Sequence, residues 1–194
     1  MKSNFINLIP ASHFELPYYY HRLHELLPTA RIVVALLNPD NPNAHVYALQ
    51  TRAAADALGL RLQALTAPTE ADLEAAFGIM VQQRADALIV IADPFFIARR
   101  ERFAALAADH AIPAIYPLRW YPECGGLMSY GAEIESLYRQ VGTYAGRILK
   151  GAKPIDLPIE QNTKYELVIN LKAVKALSLT MPPPLLARAD EVIE

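Results

Sequence analysis

Between residues 31 and 130, short apolar runs alternate with segments that have the period of a helix, and this alternation constrains the fold more than any other feature. Each apolar run is nearly continuous, as in Ile32-Val33-Val34-Ala35-Leu36-Leu37. Strands that are apolar on both sides are typical of a parallel sheet with helices on both faces. We therefore predict an α/β fold with strands over residues 32–37, 61–66, 87–92 and 114–116.

Helix start signals follow three of these strands. Asn41 and Asp93 each precede a proline, so a capping side chain stands before a residue suited to the first helical position. Thr69, with Asp72 three residues later, has the spacing of a capping box. The helix after the first strand is expected to bury the stripe formed by Val46, Leu49, Ala53 and Ala57.

The chain divides into three segments on this interpretation. Residues 1–30 form an N-terminal helical segment, residues 31–130 an α/β ligand-binding lobe, and residues 131–194 a crossover helix, an extra strand and a C-terminal tail. The crossover helix is predicted over residues 133–150, because acidic residues start it and basic residues end it. Its apolar positions are Ile134, Leu137, Val141, Tyr144 and Ile148.

The composition argues against several classes of protein. A net charge of −2 over 194 residues, with no cluster of lysines and arginines, argues against a nucleic-acid partner. Cys124 is the only cysteine, so no internal disulfide is expected. The first 13 residues make a poor signal peptide, and no apolar run approaches the roughly 20 residues of a membrane helix. We therefore expect no membrane insertion.

The ligand site is expected at the carboxyl ends of the strands. Loops converge there in open parallel sheets, and helix N-termini offer unpaired N–H donors. The loops that meet this condition cover residues 38–43, 66–69, 92–96 and 116–124. Together they form the predicted half-site.

Asp93, with Phe95 and Phe96, is the most suggestive group in these loops. A carboxylate beside two aromatic rings suits a ligand that carries an ammonium group and an apolar side chain. Helix capping by Asp93 and core packing of the phenylalanines explain the same residues. Asn38 and Asn41 are candidates for hydrogen bonds to a polar ligand head, and turn formation is the alternative for both.

The loop after the fourth strand contains a second cluster, in which Tyr116, Trp120 and Tyr121 surround Arg119. A guanidinium group pairs well with a carboxylate, so Arg119 would suit a ligand carboxylate. An ordinary surface loop is the alternative.

Signatures of catalysis and of metal binding are missing from the sequence. Residues 38–42 stand where a glycine-rich phosphate loop would follow the first strand, and there is no Gly-x-Ser-x-Gly elbow. His21 and His24 share one helical face, but no further cysteine or histidine cluster completes a metal site. The sequence thus predicts a protein without catalytic residues, metal or cofactor.

The last third of the chain resembles one family closely. Ser129-Tyr130-Gly131 and residues 145–154, 166–172 and 185–194 are similar to the TrpX-like substrate-binding proteins of ABC uptake transporters. The resemblance implies one lobe of a type I periplasmic-binding protein, with a Rossmann-like or flavodoxin-like sheet. It covers only the second lobe and the C-terminal tail of that family. It places Tyr130 at the crossing between lobes, where its side chain would contact ligand.

The resemblance also implies a function. The protein would bind a small organic ligand such as an amino acid, without catalysis, and would partner an ABC transporter permease in the periplasm. Because the first lobe is absent from the resemblance, we expect a truncated form with weak binding, cytoplasmic if the chain is the complete product. The alternatives are a cytoplasmic ligand-sensing or interaction domain of flavodoxin-like shape and an enzyme with an unrecognised site.

The crossover helix predicts an assembly. In the family this helix would pack in the first lobe, so its apolar stripe at residues 134–148 needs another partner. We expect a homodimer that buries the stripe, with exchanged helices as one possible form.

Overall fold

A computed structural model of the protein describes residues 12–158 and 164–194, and within these ranges seven strands form one sheet. The strand order is β2-β1-β3-β4-β5-β6-β7, and every neighbouring pair is parallel except β5 and β6. The strands are β1 (Ile32–Leu37), β2 (Arg61–Thr66), β3 (Ala87–Val90), β4 (Ala114–Tyr116), β5 (Met128–Ala132), β6 (Tyr165–Asn170) and β7 (Glu191–Ile193).

Helices cover both faces of this sheet, which confirms the predicted fold class. The core on one face includes side chains of α1, α2, α8 and α9, and the core on the other includes side chains of α3, α4, α5 and α6. The helices are α1 (Ser12–Leu26), α2 (Ala44–Ala57), α3 (Glu70–Gln82), α4 (Pro94–Ile97), α5 (Arg100–Asp109), α6 (Trp120–Glu123), α7 (Ile134–Leu149), α8 (Leu171–Ala176) and α9 (Pro183–Leu186).

The central strands show why their sequence is continuously apolar. Val33 and Leu37 of β1 face the core under α1 and α2, whereas Val34 and Leu36 face the core under α3 and α5. Successive side chains of a strand point to opposite faces, so a strand covered on both sides needs apolar residues throughout. All four side chains are at most 5% exposed.

The predicted buried stripe of α2 is wrong. Val46 and Leu49 are 37% and 57% exposed, and the buried positions are Tyr47, Thr51, Ala54 and Ala55. Both sets have helical spacing, so periodicity alone did not separate them. The large ring of Tyr47 gains more from burial than the side chain of Val46, and α1 packs against α2 on the inner side.

Two further boundaries differ from the sequence prediction. The Asp93-Pro94 start and the stop at Pro113 predict a single helix from about residue 95 to residue 110. In the structure this segment is divided into α4 and α5, with Arg99 between them in a non-helical conformation. The proline run at residues 182–184 predicts a last helical turn, which is present as α9, but the residues beyond it form an unpredicted strand, β7, which pairs with β6 at the sheet edge. The signal-peptide prediction concerns residues 1–13, of which residues 1–11 lie outside the described part of the chain. The sequence also predicts an extended segment over residues 155–163, punctuated by proline, of which residues 159–163 lie outside the described part.

The crossover helix α7 is present, but it is poorly covered. Of its residues, only Tyr144 is buried, and its hydroxyl donates to the carbonyl oxygen of Pro158 at 2.7 Å. Tyr138 is 68% exposed and Leu149 is 88% exposed. An amphipathic helix with this much exposed apolar surface is the sort that packs against a further partner.

Candidate functional site

An open cleft of about 590 Å³ lies at the carboxyl ends of β1 and β3. The chain passes from β1 to β2 on one side and later returns to β3 on the other, so the loops after β1 and β3 diverge. Such a switch point is where open α/β sheets bind ligands. The cleft is therefore the candidate ligand site of this lobe.

Asp93 forms the floor of the cleft and is only 4% exposed. Its Oδ1 accepts hydrogen bonds from the backbone N–H groups of Phe95 at 2.8 Å and Phe96 at 3.4 Å, and so caps α4. The same oxygen accepts from Nδ2 of Asn38 at 3.1 Å, and Oδ2 accepts from Nδ2 of Asn41 at 2.7 Å. One carboxylate thus joins the loop after β1 to the loop after β3.

Asn38 and Asn41 are held by a second set of bonds. Oδ1 of Asn38 accepts from the backbone N–H of Asp40 at 3.0 Å, and Oδ1 of Asn41 accepts from that of Asn43 at 2.9 Å. Each asparagine therefore forms a turn within its own loop and also donates to Asp93. Hydrogen bonds from the nitrogen and to the oxygen of each side-chain amide therefore fix both asparagines in the lining of the cleft.

Part of the lining of the cleft is apolar. Phe95, Tyr47 and Ile97 line it from α4 and α2, together with prolines of both loops. The guanidinium carbon of Arg99 lies 3.7 Å from the centre of the Phe95 ring, which indicates a cation–π contact. The cleft therefore offers both polar groups and aromatic and aliphatic surface.

The structure places two predicted site residues in the core instead. Phe96 is fully buried against Phe103, with 5.1 Å between ring centroids. Tyr116, the last residue of β4, stacks on Tyr121 at 4.5 Å and faces the core under α5. Burial raises the pKa of Tyr116 well above its usual range, and its hydroxyl has no hydrogen-bond partner among the described residues.

Arg119 lies outside the cleft, in an ion-pair network. Its Nε donates to Glu123 at 2.7 Å, Nη1 to Glu166 at 3.1 Å and Nη2 to Glu191 at 2.5 Å. The hydrogen bonds that Arg119 donates to Glu123 and Glu191, that to Glu123 first, and the negative charge of Glu166 raise the pKa of Arg119. The guanidinium group joins the loop after β4 to β6 and β7, and a ligand carboxylate would have to displace one of these partners. Trp120 is half-buried beside it at the start of α6.

Tyr130 belongs to an aromatic cluster on the α1 face of β5. Its ring stacks on Tyr165 at 5.9 Å, and the rings of Tyr18 and Tyr19 lie 5.8 and 6.3 Å away. The guanidinium carbon of Arg22 lies 5.7 Å from the ring centre. This cluster stands apart from the residues that line the cleft.

The cleft thus brings together four of the nine predicted site residues, Asn38, Asn41, Asp93 and Phe95. Two residues that line it, Tyr47 and Ile97, lie outside the predicted site loops altogether. Each follows a predicted site loop by a few residues, in the first turn of α2 or at the end of α4. A search extended by one helical turn beyond each loop would have found both.

A second cavity of about 260 Å³ lies between α5 and α8, near the opposite edge of the sheet. Its walls are mostly alanine and glycine, and Tyr116 and Asn170 border it. The side chain of Asn170 is already committed, because it donates to the carbonyl oxygen of Pro122 and accepts from the N–H of Ala173. This cavity offers few free polar groups to a ligand.

The described residues contain no group of three or more histidine, cysteine or acidic side chains arranged to hold a metal ion. The Cys124 thiol donates to the carbonyl oxygen of Tyr121 at 3.3 Å, and burial raises its pKa, which lowers its reactivity. No helix in the described part of the chain has both the length and the apolar character needed to cross a bilayer.

Comparison with known proteins identifies the family. The model of the ABC transporter substrate-binding proteins matches residues 21–193, which is most of the chain. The chain belongs to the ABC transporter substrate-binding protein family. A comparison with curated protein sequences found no match.

Several solved structures share the fold of this chain. A conserved domain protein from Vibrio cholerae is 25% identical, with a TM-score of 0.83 over 91% of this chain. The ABC domain from Streptococcus pneumoniae in complex with L-Trp is 24% identical, with a TM-score of 0.83 over 92% of the chain. An open, ligand-free substrate-binding protein from Clostridium difficile is 21% identical, with a TM-score of 0.68 over 90%.

The chain matches only part of each of these substrate-binding structures. It spans 60% of the Vibrio and Streptococcus chains and 58% of the Clostridium chain. This partial coverage is what one lobe of a two-lobed protein would give.

Proposed function

We propose that the chain is the second lobe of a substrate-binding protein, and that it binds a small organic ligand such as an amino acid in the cleft at the ends of β1 and β3. The observation that carries the proposal is the cleft itself. Asp93 at its floor suits an ammonium group, and Phe95 with Tyr47 suits an apolar side chain. The role is binding without catalysis.

The whole protein would deliver this ligand to an ABC transporter permease, and would work in the periplasm or outside the cell, where this family normally acts. Family membership supports this part of the proposal. Arg119, Trp120 and Tyr130 would act only when a second lobe closes over the same sheet edge, because they lie outside the cleft.

A single lobe should bind weakly. Ligand sites in proteins bury about 70–90% of a small ligand, whereas this cleft is open on one side. We expect a dissociation constant of about 1 mM or higher for L-Trp, which corresponds to about −4 kcal/mol.

Nuclear magnetic resonance tests the site and calorimetry tests the affinity. On addition of L-Trp, amide shifts should move in residues 38–47 and 92–97. Phe95→Ala should weaken binding about fivefold or more, while Leu49→Ala, on the exposed side of α2, should leave it unchanged. Shifts centred on the cavity between α5 and α8 would overturn the site. Micromolar affinity would overturn the single-lobe argument.

We further propose a homodimer that buries the exposed face of α7. Of the stripe predicted from the sequence, Tyr144 is buried, Ile134, Leu137 and Ile148 are half-buried, and Val141 is 38% exposed, so the stripe is only partly covered in the single chain. A second copy would bury the same stripe twice in a two-fold arrangement.

A further inference from the structure

Asp93 is a buried anion whose partners are all neutral. Its four hydrogen-bond donors are two asparagine amides and two backbone N–H groups. No lysine, arginine or histidine forms an ion pair with it among the described residues. Neutral dipoles hold the carboxylate in place but leave its charge uncompensated, and a buried charge gains strongly from an opposite charge.

The two oxygens of Asp93 are used unequally. Oδ1 accepts three hydrogen bonds, whereas Oδ2 accepts one, from Asn41. The Oδ1 atoms of Asn38 and Asn41 each accept a single bond from a backbone N–H. These three oxygens retain lone pairs, and an ammonium group has three donors and no acceptor.

The side chains that line the rest of the cleft include no cationic group to pair with a ligand carboxylate. Its lining includes a second acidic residue, Asp40, and no lysine or arginine. Arg99 contacts the lining residue Phe95, but its Nε donates to Glu70 at 2.8 Å and its Nη1 to the carbonyl oxygen of Phe95 at 3.3 Å. The charge of Arg99 is therefore already countered.

We infer that this lobe recognises the cationic nitrogen and the apolar body of its ligand, and that a carboxylate on the ligand is dispensable for binding here. The ligand class is then organic amines with an aromatic or aliphatic body, of which amino acids are one part. The inference rests on the proposed function, since it concerns the same cleft.

Three matched probes separate the contribution of the ligand's ammonium group to binding from that of its carboxylate. L-Trp carries both charged groups, tryptamine lacks the carboxylate, and indole-3-propionate lacks the ammonium group. Titrations of the full chain, followed by amide shifts at pH 7, should give tryptamine an affinity within about threefold of that of L-Trp. Indole-3-propionate should bind about tenfold more weakly or not at all.

Variants test whether Asp93 is the group responsible. Asp93→Asn removes the charge and should weaken tryptamine binding about tenfold, while leaving indole-3-propionate no weaker than before. Asp109→Asn, the same change at the end of α5, should alter the binding of neither tryptamine nor indole-3-propionate. If Asp93→Asn does not fold, the three probes on the unmodified chain decide the matter.

The outcomes are distinct. If L-Trp and indole-3-propionate bind at the cleft and tryptamine does not, the carboxylate is recognised, for example by backbone N–H groups at the start of α2, and the inference is overturned while the proposed function stands. If none of the probes shifts the cleft residues, the proposed function fails and the inference fails with it.

Discussion

At the residue scale, Asp93 has a structural role and also lines the candidate site. The sequence offered helix capping and ligand binding as alternatives, and the structure shows that they are compatible. Its carboxylate caps α4 and still lines the cleft, because the cap forms at the carboxyl end of a central strand. A residue that caps a helix can therefore also belong to a ligand site.

Local backbone geometry decides where neighbouring aromatic residues go. Phe95 lines the cleft, whereas Phe96 enters the core. Tyr116 ends β4 with its ring on the α5 face, beside Gly126, where an added Cβ would lie 2.7 Å from that ring. Residue type and position in a loop did not reveal these directions, because they depend on local backbone geometry.

Gly131 is required by a close approach of two backbone segments. A Cβ at this position would overlap the carbonyl oxygen of Pro117, which belongs to the loop after β4. Backbone atoms cannot move aside as a flexible side chain can. We expect Gly131→Ala to lower the free energy of unfolding by about 3 kcal/mol, measured by urea denaturation.

Gly78→Ala is the matched control for this substitution. Gly78 lies inside α3, and an added Cβ would meet nothing within 4 Å. Alanine is a better helix former, so this variant should be more stable by about 0.5–1 kcal/mol. Equal stability of Gly131→Ala and the unmodified protein would show that the two segments separate easily.

At the scale of elements, the order and type of the main strands and helices follow from sequence pattern, whereas their contacts do not. The capping box at Thr69 is confirmed, since its hydroxyl accepts from the N–H of Asp72 at 3.2 Å. The register of β6 against β5, and the addition of β7 at the edge, involve residues far apart in sequence. Local pattern carries no information on such pairings.

The Arg119 network is a contact of this long-range kind, and it should stabilise the β6–β7 edge. Three carboxylates from separate elements share one guanidinium group that is 29% exposed. We expect Arg119→Met to lower the free energy of unfolding by about 1–2 kcal/mol at low salt, and by less at high salt. Arg102→Met removes a single exposed pair with Glu74 and should cost about 0.5 kcal/mol or less.

The Arg119 variant should also change the pH dependence of stability. Burial raises the pKa of Glu166, and Arg119 acts in the opposite direction. Without Arg119 the folded-state pKa rises further above the unfolded value, so stability should decrease as pH rises through the folded-state pKa. The cost of the substitution should therefore be smaller at pH 4 than at pH 7. A cost independent of pH would show that Glu166 finds another partner.

At the scale of the whole molecule, a single sheet positions the cleft on one edge and leaves α7 largely uncovered. Family membership and 60% coverage of two relatives accord with one lobe of a larger clamp. The same features underlie the two proposals at this scale, weak binding by an open cleft and self-association through α7.

The proposed homodimer predicts a mass of two 21.5 kDa chains in light scattering at about 50 µM. Tyr138→Glu combined with Val141→Glu places two charges on the exposed face of α7, and should shift the mass to that of one chain. Val81→Glu changes an apolar residue on α3 that is 50% exposed, and should leave the mass unchanged. A monodisperse monomer of the unmodified protein would contradict the proposal.

The sequence by itself determined the α/β class, the central strands, the caps of α3 and α4 and the family, because these depend on local periodicity, capping chemistry and short sequence motifs. The cap predicted at Asn41 is wrong, because α2 begins at Ala44 after Asn43. Only the tertiary structure decided which face of α2 is buried, that Arg119 is engaged by three carboxylates, and that Tyr47 joins Phe95 in the cleft. Those outcomes depend on packing between segments that are distant in the chain, where several arrangements satisfy the same local pattern and the buried area selects one.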